Sequence, residues 1–187
     1  ADDAEVRAIF ETNVFGLLAV TRAVLPTMRR QRSGRIFNFS SVGGIAVGEG
    51  WGIYGGTKYA VEGLSEAMRR ELAPLGVQVT IVEPGVFRTD FLDGSSLHAA
   101  KAVLDDYVPT VGSVRNWATT TNHQQMGDPV KAAKVIVDVA EAAEQPMRLQ
   151  LGADCVARVE ERLADIHAEL NAWRDVAVST AFDEARA

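Results

Sequence analysis

Arg35 to Lys58 reads RIFNFSSVGGIAVGEGWGIYGGTK: an apolar run that stops at two serines, a glycine-rich stretch, then a tyrosine and a lysine four residues apart. Arg35 to Phe39, rich in aromatic and branched side chains, predicts a strand. Its two faces both look apolar, which suits a parallel strand buried between helices. The glycines after it allow a turn or a close approach of backbone to a ligand, and a helix is expected from Tyr54. Val77 to Val82, VQVTIV, is the next β-branched run and leads straight into Pro84-Gly85. Strand and helix alternate, so the expected class is α/β with a parallel sheet, whose functional groups gather at the carboxyl ends of the strands.

The groups at those ends suit proton and hydride transfer. Tyr54 and Lys58 share one helix face. A free phenol ionises near pH 10, and a fixed ammonium beside it favours the phenolate, so Lys58 is expected to lower the pKa of Tyr54. The Ser41 hydroxyl can bond a substrate oxygen as charge builds on it. A hydride must come from a cofactor, since no side chain carries one. Trp51 and Ile53, beside the tyrosine, read either as an apolar wall for substrate or as partner-facing residues.

Four segments in one order, NVFG, FNFSSVGG, YGGTK and EPGVFRT, resemble the short-chain dehydrogenase/reductase family over Asn13 to Thr89. The resemblance implies a Rossmann-like doubly wound parallel sheet and NAD or NADP as cofactor. It implies Tyr54 as acid/base and Lys58 as the residue that tunes it and bonds the nicotinamide ribose. Ser41, thirteen residues before the tyrosine, would orient the substrate, with Ser40 as its non-catalytic neighbour. Asn13 would hold a water in the proton relay behind the lysine; on the residues alone it reads first as a tie between a helix and nearby backbone. Pro84, Gly85, Val86 and Thr89 would lie along the nicotinamide, with Val86 and Thr89 bonding its carboxamide. Glu83 stands where relatives more often carry a small or polar residue. The family's TGxxxGxG turn and NNAG motif are absent, so the sheet is expected to be incomplete at its N-terminus, and the residue that selects NAD or NADP falls outside the chain. Sugar-nucleotide epimerases share the YxxxK but carry a larger C-terminal domain than this tail.

The rest of the chain fits one partial domain over 1–187. Asp2 or Asp3 caps a helix running to Arg32, with Val6, Phe10, Leu17, Val20, Val24 and Met28 on one stripe and a kink expected at Pro26. The helix from Tyr54 to about Leu75 presents Val61, Ser65, Met68 and Leu72 on one face, with Glu62, Arg69 and Arg70 read as lying off it. Residues 90–127 lack periodicity and read as a substrate lid. Asp128-Pro129 starts a helix, Met147 to Leu151 is a short strand, and 153–175 is an amphipathic helix with an acidic polar face that covers the core or a dimer partner. The last dozen residues look frayed.

Composition narrows the function classes. A net charge of −6 and a pI near 5.1 argue against a nucleic-acid surface. His98, His123 and His167 lie too far apart in sequence for a metal motif, so no metal is expected. The single Cys155 excludes an internal disulfide and fits a cytoplasmic, reducing compartment. No apolar run reaches the ~18 residues of a membrane span. The sequence therefore reads as an NAD(P)-dependent oxidoreductase of a small alcohol or carbonyl, and by resemblance as a homodimer or homotetramer. The alternative is a non-catalytic fragment or subunit-interaction module of such a protein.

Overall fold

Asp2 opens the first helix by a reciprocal cap. Its carboxylate accepts from Glu5 N–H at 2.8 Å, and the Glu5 carboxylate accepts from Asp2 N–H at 2.9 Å, satisfying two of the donors that a helix start leaves unpaired. The computed structural model describes residues 1–94, 96, 97, 99, 100 and 102–182, and in it this helical run reaches Gln31. It comprises α1 (Asp3–Phe10), a π turn (Glu11–Phe15) and α2 (Gly16–Gln31). The π turn departs from the regular helix expected: Gly16 N–H reaches back five residues, to Glu11 O. Pro26 sits inside α2 without ending it. By length and composition the run Asp3–Gln31 is apolar enough to cross a membrane, an 18-residue window of it having mean hydropathy 1.5, a property that the polar residues interrupting the apolar run hide. Here Thr21 is buried and Asn13 bonds a neighbouring helix, the contacts of a helix laid against a folded body.

Three parallel strands come next, in the order β1 (Gly34–Phe39), β2 (Val77–Pro84), β3 (Arg148–Leu151). Ile36 pairs with Val79, and Ile81 with Arg148. Between β1 and β2 runs α3 (Gly52–Leu72); between β2 and β3 come α4 (Ser113–Thr121) and α5 (Pro129–Glu141). Ile36, Val77 and Val79 pack with Leu72 of α3 and with Leu25 and Met28 of α2. On the opposite face Arg35 donates to the carbonyls of Ala140 and Ala142 at the end of α5. The parallel sheet with helical contacts on both faces is the Rossmann-like architecture expected, and its three strands fit a sheet that is incomplete. β1 is not buried on both faces, however. Phe39 is 53% exposed, because the strand's carboxyl end opens into a cavity.

The 90–127 segment is more regular than its sequence suggests. Short 3-10 turns at Asp90–Leu92 and Asp105–Tyr107 and a π turn at Val108–Gly112 lead into α4. Threonines are weak helix formers, yet Thr119 and Thr120 donate their hydroxyls to the carbonyls of Arg115 and Asn116, one turn back. His98 lies outside the described residues. Asp128 caps α5 by accepting from Val130 and Lys131 N–H, with Pro129 at the position where a missing N–H costs nothing. The last helix, α6, spans Ala153–Val178.

A polar cluster lies under α3, contrary to the expectation that Glu62 faces away. Glu62 and Glu83 are both buried, and Arg148 Nε lies 3.2 Å from Glu62 and 3.4 Å from Glu83, with its other arm 3.1 Å from Glu66. Gln150 donates to Glu83 at 2.8 Å. Burial pushes the Glu62 carboxyl up and that of Glu83 up to about 7, the neighbouring Glu62 charge adding to the latter. Beside them Cys155, fully buried, donates its thiol to Glu83 O, and burial pushes that thiol up to about 12. The thiolate is the reactive form. A disulfide reagent at pH 8 is therefore expected to label Cys155 only as fast as the chain unfolds, and rapid stoichiometric labelling in native buffer would contradict this packing.

Candidate active site

Ser41 ends the extended chain after β1, and its Oγ accepts from Gly43 N–H at 3.1 Å, fixing the turn that carries it. Tyr54 stands in the first turn of α3, so its ring points over the carboxyl end of the sheet rather than into the core. Both side chains flank Gly43, and Ser41 acts on the Tyr54 phenol. Lys58, one turn further, places its Nζ 5.5 Å from the centre of the Tyr54 ring and donates to Phe39 O at 2.9 Å. Ser41, Tyr54 and Lys58 thus line one wall of a cavity of about 810 Å³.

The electrostatics differ from the simple expectation. Burial raises the Tyr54 pKa above its ordinary value, and the Ser41 hydrogen bond pulls it partly back. Lys58 is lowered, also by burial. Its ammonium donates one N–H to a carbonyl and lies 5.5 Å from the ring centre. Desolvation disfavours the phenolate and the ammonium alike.

Asn13, inside the π turn, donates its amide to Thr57 Oγ1 at 2.9 Å, and the Thr57 hydroxyl donates to Tyr54 O at 2.7 Å. The first turn of α3 is thereby tied to the N-terminal helix. Behind Ser41, the buried Ser40 directs its hydroxyl to Lys58 O at 3.5 Å.

The second wall is the turn after β2. Gly85 N–H donates to Leu151 O, Val86 N–H to the Asp154 carboxylate at 2.8 Å, Arg88 N–H to Gly127 O and Thr89 N–H to Phe87 O. Thr89 Oγ1 accepts from Phe91 N–H. Phe87 N–H is the backbone donor of residues 85–89 left without a partner among the described residues. A Cβ at Gly85 would meet the Asp154 carboxylate, which would have to shift. Sequence reasoning singled out neither Phe87 nor Asp154. A free backbone donor has no side-chain signature, and Asp154 reads from sequence only as the start of a helix.

Aromatic rings form a third wall. Trp51 stacks on Phe91 with centroids 6.1 Å apart and planes at 19°, and both rings lie within 6 Å of Tyr54, at 5.8 and 5.6 Å. Trp117 of α4 also lines the cavity, whereas Ile53 does not. Lys58 with N–H bonds to spare, the unpaired Phe87 N–H and a cavity of this size are donors and space that fit a nicotinamide and its ribose.

Comparison with known proteins shows the family. The chain is 34% identical over 171 residues to the oxidoreductase BOA17 of Botryotinia fuckeliana, covering 91% of this chain and 62% of that protein. It is 33% identical over 153 residues to the 3-ketodihydrosphingosine reductase of Bacteroides thetaiotaomicron, covering 81% and 56%. The chain therefore spans less than two thirds of the length of either relative. Among solved structures, a short-chain dehydrogenase from Streptomyces avermitilis superposes with a TM-score of 0.85 at 39% identity, over 97% of this chain and 65% of that one. A short chain dehydrogenase/reductase from Burkholderia phymatum, solved with NAD, shares the fold at a TM-score of 0.75 and 20% identity, over 90% of this chain and 61% of that one. The short chain dehydrogenase family model matches residues 1–99, more than half of the sequence. The chain belongs to the short-chain dehydrogenase family.

Proposed function

We propose that this chain carries the catalytic and nicotinamide-binding part of an NAD- or NADP-dependent oxidoreductase that interconverts an alcohol and a carbonyl. The observation that supports it most is that Ser41, Tyr54 and, one turn along, Lys58 share the wall of a cavity that also exposes an unpaired backbone donor. When bound, the nicotinamide takes or supplies the hydride. In the oxidising direction Tyr54 Oη accepts the hydroxyl proton of the substrate as its carbinol hydrogen leaves with two electrons; in the reducing direction Tyr54 returns that proton to the forming alkoxide. Ser41 Oγ–H donates to the same oxygen and offsets its developing charge. Lys58 keeps one N–H on Phe39 O and offers the others to the ribose. Asn13 acts behind them, through Thr57 and as a holder of water for the proton path. Pro84, Gly85, Val86 and Thr89 shape the nicotinamide wall, with Phe87 N–H as the donor open to the carboxamide. The stack of Trp51 on Phe91 favours a substrate with an apolar body next to its carbonyl carbon.

Two wider readings belong to the same proposal. The exposed Phe15 and Val20 on the N-terminal helix suit pairing of copies into a homodimer or homotetramer, and the unpaired thiol of Cys155 suits a cytoplasmic setting.

Nicotinamide fluorescence tests the reading directly. NADH or NADPH is expected to bind this chain, and Lys58→Ala to weaken binding about 10- to 100-fold, as loss of charge-assisted hydrogen bonds would. Tyr54→Phe is expected to leave binding within a few fold. A folded chain that binds neither cofactor would favour the second reading, a non-catalytic fragment or subunit-interaction module, and would assign any activity to a longer protein.

A further inference from the structure

Gln125, in the segment between α4 and α5, is 2% exposed, and its side-chain Oε1 and Nε2 are both shut off from water with no hydrogen-bond partner among the described residues. Buried polar groups are paired as a rule, because an unpaired one gives up its bonds to water without replacement. A glutamine that leaves both ends of its amide unpaired is an exception that calls for a partner. Its backbone, by contrast, is well held. Arg88 Nε donates to Gln125 O at 3.1 Å, Arg88 N–H to Gly127 O at 2.9 Å and Gly127 N–H to Val86 O at 3.1 Å. A Cβ at Gly127 would collide with Val86 O and the Phe87 ring, so the close approach of this segment to the turn after β2 is built in.

Gln125 also lines the cavity that Ser41, Tyr54 and Lys58 share. Its neighbours along that wall, Val114, Trp117, Pro129, Ala132 and Ile136, are largely apolar, and the Ser113 hydroxyl is spent on Thr110 O at 2.8 Å. The terminal torsion of a glutamine is broad and soft, so the amide can turn its edge to the lumen. That edge offers a donor and an acceptor side by side. A ligand carboxylate would pair with Nε2 alone and an ammonium with Oε1 alone, each leaving the other atom unpaired. A carboxylic acid would match both only while protonated, which it is not near neutral pH. A carboxamide matches both while remaining neutral.

We propose that Gln125 is the residue with which the cavity recognises a carboxamide, its Nε2 donating to the ligand carbonyl and its Oε1 accepting from the ligand N–H. That group belongs either to the apolar body of the substrate or to the nicotinamide, whose carboxamide has the same chemistry. The assignment rests on the cavity as a binding site and not on the hydride chemistry proposed above.

Benzamide and acetophenone share a phenyl ring and a carbonyl and differ in an amino group against a methyl, so they test this without a dinucleotide. In an NMR titration read at the indole signals of Trp51 and Trp117, which both line the cavity, the wild type is expected to bind benzamide about tenfold more tightly than acetophenone. Gln125→Met is expected to bind the two within about twofold of each other. A preference of about tenfold for NADH over its acetylpyridine analogue, lost in Gln125→Met, would give the carboxamide to the cofactor. Equal binding of those two, with the benzamide preference intact, would give it to the substrate. Failure to bind any dinucleotide would count against the catalytic reading alone, since the benzamide comparison does not need one. Methionine matches glutamine in length and has no hydrogen bonds to satisfy, so the ligand-free Gln125→Met chain is expected to melt about 2–4 °C higher. A glutamine bonded to a buried water would instead lose stability on this change. Equal binding of benzamide and acetophenone by the wild type, a preference that survives Gln125→Met, or a melting temperature that fails to rise would each overturn the proposal.

Discussion

Replacing Tyr54 with phenylalanine is expected to lower turnover about 10²- to 10⁴-fold, the usual contribution of a positioned acid or base, while cofactor binding changes little. The substitution removes one oxygen and keeps the ring that packs against Trp51 and Phe91. A large loss of folding would therefore point away from chemistry and towards packing. The direction of the Tyr54 shift adds a second readout. Burial holds its proton more tightly than in water, and Ser41 opposes that through its hydrogen bond. In the oxidising direction, where Tyr54 must be deprotonated, activity should rise with pH, and Ser41→Ala should move that rise to higher pH. Steady-state kinetics across pH with an apolar alcohol measures both effects; a Tyr54→Phe protein with near-normal turnover would refute the assignment.

Replacing Glu83 with glutamine is expected to remove a pH dependence of stability worth about 3 kcal/mol. A carboxyl that titrates near 7 in the fold instead of 4.5 keeps its proton in the native state over the interval in which the unfolded chain has lost it. Stability contributed by this group therefore falls as pH rises from about 4.5 to about 7, then levels. The cause is desolvation first and the neighbouring Glu62 charge second, against which Gln150 and Arg148 act only in part. A glutamine at this position would present the same shape without the charge. Urea denaturation at pH 5 and pH 8 should thus show a clear drop for the wild type and a smaller one for Glu83→Gln. Equal drops would mean that Glu83 is ionised in the native state without cost.

This cluster also marks where sequence reading stops. Lys58 is legible because its partner Tyr54 is one helical turn away, and the strand ends are legible because β-branched runs stop at serines or at Pro-Gly. Glu62 lies one turn beyond Lys58, yet its burial depends on Arg148, 86 positions downstream, and no local pattern connects the two. The same holds for Asp154 and Val86, brought together only once β2 and β3 pair. The order around Trp117 is illegible for the opposite reason: local propensity there argues against helix, and backbone-directed threonine hydroxyls act against it. Spacing shows which groups share a helix face, but does not show which atom an ammonium points at. Here it points at a carbonyl.

The π turn at Glu11–Phe15 matters for length rather than for chemistry. A wide turn holds one more residue than the regular helix would need. Deleting a single residue there would leave a sound α-helix but would rotate α1 by about 100° relative to α2. Phe10, which sits over Gly56, would swing off α3, and the Asn13 amide could not stay on Thr57. Natural variation in this stretch should therefore accept changes of residue type at solvent-facing positions while excluding insertions and deletions, so that the spacing from Asp2 to Gly16 behaves as a fixed ruler.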